Sequence, residues 1–171
     1  MNRSTVPGAL LFAALMGVSA AQAQGPACPY TLASLQGNYA VVLTYGANVA
    51  AGLQVEQLDG KGNVSRIGVI NQPTIGSATG ARTVSTVTSV GTYTVNCDGT
   101  GVITRVVTRA DGTTAPTSDD FMITDAVPLY GGAGNVLIAT TFLDIQREPS
   151  VIIPGGIFVT RVHTRRAELP R

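Results

Sequence analysis

Gly52-Leu53-Gln54-Val55-Glu56-Gln57-Leu58, then Asp59-Gly60-Lys61-Gly62-Asn63, then Val64-Ser65-Arg66-Ile67-Gly68-Val69-Ile70-Asn71-Gln72 is the stretch that decides the fold. Two runs rich in Val, Ile and Leu flank a segment of Asp, Gly and Asn. Gly supplies the backbone angles of a tight turn, and Asp and Asn bond to the backbone of their own turn. The order strand, turn, strand reads as an antiparallel hairpin. Upstream, Tyr39, Val41, Leu43 and Tyr45 alternate with smaller residues, so a strand would place all four on one face.

The same pattern repeats along the chain. Cys97-Asp98-Gly99-Thr100-Gly101 and Asp111-Gly112 are further turns. Strands are expected at 38–45, 52–58, 64–72, 82–88, 91–96, 102–109, 119–124, 135–143 and 156–166, where 82–96 is either two strands or one long strand bent at Gly91. Only Tyr30 to Gln36 suits a helical turn, with Thr31 at its start and Gly37 at its end. Eight or so short strands joined by local turns predict an all-β protein, an antiparallel up-and-down barrel whose closure removes both sheet edges. A two-sheet β-sandwich is the alternative; the chain has no Trp to build an immunoglobulin-type core.

Residues 1–23 read as a signal peptide. Arg3 is the basic head, Ala9 to Val18 the apolar run, and Ala21-Gln22-Ala23 the cleavage site. Residues 24–171 then form a single domain, exported to the periplasm or outside the cell. No Leu stands where a lipobox before Cys28 would need one, so no membrane anchor is expected. Without Arg3, the 11 basic residues become 10 and balance the 10 acidic ones. A neutral domain with one lysine argues against nucleic acid as a partner. Cys28 and Cys97 are the only cysteines, and in an oxidising compartment they are expected to bond. The bond would pin the new N-terminus to a hairpin. It closes a long loop, worth about 4 kcal/mol by chain entropy.

Three segments resemble a known group. Leu35-Gln36-Gly37-Asn38-Tyr39-Ala40, Asp59-Gly60-Lys61-Gly62-Asn63-Val64 and Gly91-Thr92-Tyr93-Thr94-Val95-Asn96-Cys97-Asp98-Gly99-Thr100-Gly101 are similar to small exported bacterial proteins. Those are similar in outline to allene oxide cyclase-like, lipocalin-like barrels of the calycin type. The resemblance covers the first half of the mature chain. It implies a barrel and an envelope location, and it carries over no catalytic residue.

The residues offer little recognisable chemistry. Asp59 to Asn63 opens like a calcium loop, but Lys61, Val64 and Ile70 stand where ligands, Gly and Glu belong. No metal or cofactor is expected. There is no G-x-S-x-G and one histidine, His163. His163 would share a strand face with Arg161; with Arg165, Arg166 and Arg171 it reads as part of a solvated last strand and tail. Asp119 and Asp120 point to opposite faces of a strand, and both are expected near its start, after a loop from Thr113 to Ser118. Three charges fall within apolar strands. Arg105 shares a face with Ile103 and Val107, Arg66 with Val64 and Ile70, and Glu56 with Gln54 and Leu58. An inward Arg105 would need Glu56, an Asp or a ligand carboxylate as partner; in the opposite register it is simply exposed.

Three functional classes remain open. The first is a barrel binding a small apolar or amphipathic ligand, lined by Tyr39, Val41, Tyr93 and Val95 with Arg105 as anchor. The second is a structural or interaction protein of the cell envelope with a filled core, a pilin-like subunit included. The third, by fold analogy alone, is an isomerase or cyclase. The oligomeric state is open.

Overall fold

The structure is a computed structural model that describes residues 28–46, 49–74, 76–129, 136–149 and 158–167. The expected signal peptide lies outside them. Eight strands follow one another: β1 (Gly37–Thr44), β2 (Ala51–Leu58), β3 (Asn63–Pro73), β4 (Arg82–Val95), β5 (Thr100–Thr108), β6 (Thr114–Pro128), β7 (Leu137–Gln146) and β8 (Thr160–Arg165). Each pairs antiparallel with the next, and β8 returns to β1, where Val42 faces Val162. The protein is therefore a closed antiparallel up-and-down barrel, and the sandwich alternative falls.

Turn chemistry sets the register. The Asp59 carboxylate accepts the backbone N–H groups of Lys61 and Asn63 at 2.7 and 2.9 Å and the Asn63 amide at 2.6 Å. Asp98 and Asp111 repeat the device, each accepting the N–H two residues on at 2.9 Å. In all three turns a Gly after the Asp takes positive φ: 73° at Gly60, 84° at Gly99 and 82° at Gly112.

The structure chooses between the two readings of 82–96 and moves the expected start of one strand. β4 is one continuous strand. It passes Gly91 without interruption because a side chain there would run into β5: a Cβ would lie 2.8 Å from the Arg105 Cα. β6 begins at Thr114, so Asp119 and Asp120 sit well inside it rather than near its start. The expected loop is strand because Thr114 to Thr117 pair with Thr108 to Arg105.

The segment before β1 closes one end. The expected helical turn is a short 3-10 turn, Leu32–Leu35. The Ser34 hydroxyl accepts the Thr31 N–H at 3.0 Å. Leu35 is fully buried against Tyr39, Leu58, Val64, Tyr93, Ile103, Phe121 and Phe142. The Tyr93 hydroxyl donates to the Leu32 carbonyl at 3.1 Å, and the disulfide Cys28–Cys97 ties this plug to the β4–β5 turn, as the sequence suggested. Leu43, Tyr45, Ile70, Val87 and Val159 make a smaller apolar layer at the other end. Between the two layers the interior is charged.

Candidate functional site

The strands alternate, but with the polar set inside at mid-barrel. β2 turns Gln54 and Glu56 inward and Leu53 and Val55 outward; β7 turns Asp144 and Gln146 inward and Leu143 and Ile145 outward; β8 turns Arg161 and His163 inward and Val162 outward. Six of the inward side chains form a closed circuit. Arg105 gives Nε and Nη2 to Glu56 Oε1 at 3.0 and 2.6 Å, and its Nη1 donates to Asp119. Arg161 Nη1 bridges Asp119 Oδ1 and Asp144 Oδ1, both at 2.8 Å. His163 stands between Asp144 Oδ2 at Nε2 and Glu56 Oε2 at Nδ1, each 2.9 Å away, and completes the ring. Nδ1 lies close to Glu56 but makes no hydrogen bond there. Phe142 stacks on the imidazole, with ring centroids 3.9 Å apart, and holds its plane.

The electrostatics follow from this alternation of acid and base. Burial pushes the Glu56 carboxyl up, but Arg105 and His163 outweigh it and hold it well below the usual carboxylate range. Burial likewise opposes the charge of Asp144, and Arg161, His163 and Arg105 overcome it, so its carboxyl is also held low. For Arg161 burial is outweighed by Asp144 and Asp119, which keep the guanidinium charged. Tyr39, beside the ring, is pushed up to about 12, mainly by burial. A buried circuit of this kind adds little net stability over an apolar core, but removing one member leaves an uncompensated charge and costs about 3–5 kcal/mol.

A second polar layer lies next to the ring. Gln54, Arg66, Ser89, Thr117, Gln146 and Arg161 surround an enclosed space of about 10 Å³, together with Leu43, Tyr45, Ile70, Val87, Thr88 and Val107. Such a space holds one water-sized guest. Arg66 is buried here and is pushed down to about 9 by burial first and then by Arg105 and Arg161.

Several expectations about this region are corrected. Arg161 and His163 are not solvated but buried, because β8 closes the barrel and turns them into it. Arg105 points inward and finds both Glu56 and an Asp, so it needs no ligand carboxylate. Tyr39, Tyr93 and Val95 belong to the apolar layer at the plugged end, where the Tyr39 hydroxyl donates to the Ala139 carbonyl at 3.0 Å. Val41 is inward beside His163. The small enclosed space is lined by none of Tyr39, Val41, Tyr93, Val95 or Arg105.

The outer wall is the other candidate surface. Val42, Leu53, Val55, Ile67, Val69, Leu143, Ile145 and Val162 are all exposed and adjoin one another across β7, β8, β1, β2 and β3. A groove of about 510 Å³ crosses this arc, lined by Val42, Met122, Leu143, Ile145 and Val162. The opposite arc differs: β4 and β5 turn Thr86, Thr88, Thr92, Thr94 and Thr104 outward between valines. Asp144, Gln146, Ser89 and Thr117 were not singled out in the sequence. Their one signal was alternation with Phe142, Val87 and Ala115, which equally suits an exposed face. Compared with protein-family models, with curated proteins and with solved structures, the chain matches none.

Proposed function

We propose that this chain is an exported, non-enzymatic barrel of the cell envelope that works through its outer wall, associating with a second copy of itself along the β7–β8–β1–β2–β3 arc. The observation that carries this reading is the inversion of the wall at mid-barrel: apolar side chains lie outside there while the interior between the two apolar layers is taken up by charge. An apolar arc of this size marks a contact surface. It carries no outward charge on these strands among the described residues, so nothing in it repels its own copy across a two-fold axis. Lipid suits the wall less well. A membrane barrel is apolar all round and carries aromatic girdles, whereas here one arc is threonine-rich and no strand turns an aromatic outward among the described residues. The signal-like N-terminus and the disulfide both suit an oxidising compartment. Eight up-and-down strands also suit the resemblance to calycin-type barrels.

Sedimentation velocity on residues 24–171, without detergent, tests the proposal. Dimers or larger species that dissociate on dilution, and that Leu53→Glu converts to monomer, support it. A monomer at every concentration overturns it, and flotation of that monomer with phosphatidylethanolamine–phosphatidylglycerol vesicles would replace it with a lipid-facing wall.

A further inference from the structure

Six residues that line the space beside the charged ring each carry a buried polar atom with no hydrogen-bond partner among the described residues: Gln54 Oε1, Arg66 Nη1, Ser89 Oγ, Thr117 Oγ1, Gln146 Oε1 and Arg161 Nε. Their six residues come from β2, β3, β4, β6, β7 and β8, and each is more than nine-tenths buried. Unsatisfied buried polar groups are costly, and so many around one space call for a guest.

The chemistry of the lining selects that guest. Two guanidiniums and the hydroxyls of Ser89 and Thr117 offer N–H and O–H groups, the two amides can present either end, and no carboxylate lines the space among the described residues. The three acids of the ring are occupied by Arg105, Arg161 and His163. Arg66 is opposed by Arg105 and Arg161 more than it is helped by Glu56 and Asp144, and its Nη1 has no hydrogen-bond partner among the described residues. The space, at about 10 Å³, has the size for a single small guest.

We infer that the barrel interior holds a monatomic anion of the halide class, bound by Arg66, Arg161, Ser89 and Thr117. The ion lies between Arg66 and Arg161 and accepts from donors that the fold otherwise strands. It makes the barrel an anion-loaded structure whose stability depends on halide at constant ionic strength.

The test uses the disulfide-intact mature chain. Thermal melts in sodium chloride or bromide are compared with melts in sodium gluconate of equal ionic strength, since gluconate is too large to enter. A rise of about 2–4 °C in halide is expected at concentrations ten times the dissociation constant, and Arg66→Met should abolish the difference. Crystals grown in bromide should show an anomalous peak within hydrogen-bond distance of Arg66 Nη1 and Arg161 Nε. That readout needs no variant, so it stands even where Arg66→Met fails to fold. Equal melts in all three salts, with a water and no anomalous signal at the site, would overturn the inference.

Discussion

Neighbouring residues in this barrel live in opposite environments. On β7, Asp144 is 4 % exposed while Leu143 and Ile145 are 39 % and 51 % exposed; on β8, His163 is 0 % and Val162 45 % exposed. The interior at mid-height holds a ring of acids and bases that pair with one another, with a second polar layer beside it. The wall a few ångströms away is aliphatic and has no partner among the described residues. The two regions do different work. Charge inside fixes which residue meets which, because only one register pairs every acid with a base. Aliphatic surface outside adds nothing to the isolated fold and is available for contact. Stability should therefore be sensitive to the inward polar positions at mid-barrel and indifferent to the outward apolar ones beside them.

The sharpest way to break this contrast is to remove a ring member. Asp144→Leu strands Arg161 and His163 inside the barrel and should cost about 3–5 kcal/mol in urea unfolding. A loss below 1 kcal/mol would mean that the circuit does not hold the interior. Next comes the plug. Replacing both Cys28 and Cys97 by Ser should cost about 2–4 kcal/mol and leave the ring intact, which separates the end of the barrel from its waist. Gly91→Ala should cost about 1–3 kcal/mol, since the new methyl meets the β5 backbone opposite Arg105.

Acid titration sharpens the comparison from the side of the carboxylates. Glu56 and Asp144 are held below their unfolded values, so their contribution is fully present above about pH 4–5 and is lost as pH falls below that. Between the unfolded and folded values the unfolded chain binds more protons. The contribution of these two carboxylates should thus be constant above about pH 5 and then fall by up to about 1.4 kcal/mol per pH unit for each of them. A flat profile down to pH 2 in chemical unfolding would contradict the ring. The smallest effect on the fold belongs to the wall. Leu53→Glu should change monomer stability by less than about 0.5 kcal/mol, while it abolishes self-association.

The strands and turns were legible in the sequence because Asp-Gly turns and period-two alternation are local signals. The facing of each strand was not. On β5, both Val102-Thr104-Val106 and Ile103-Arg105-Val107 make plausible inner faces, and hydropathy alone prefers neither. What decides is non-local: Arg105 meets Glu56, 49 residues away, and Asp119, 14 residues away. The same reason hid Arg161 and His163. Near a C-terminus rich in arginine they look solvated, and only closure of β8 onto β1 buries them.

The most direct test of the inverted barrel uses two adjacent positions on β5. Arg105→Val and Val106→Arg are compared by urea unfolding of the disulfide-intact chain under conditions where it is monomeric. The account predicts a loss of about 3–5 kcal/mol for Arg105→Val, which strands Glu56 and Asp119, and less than about 0.5 kcal/mol for Val106→Arg, which adds a charge to a wet wall. A large loss at Val106 with little change at Arg105 would place the apolar face inside and contradict it.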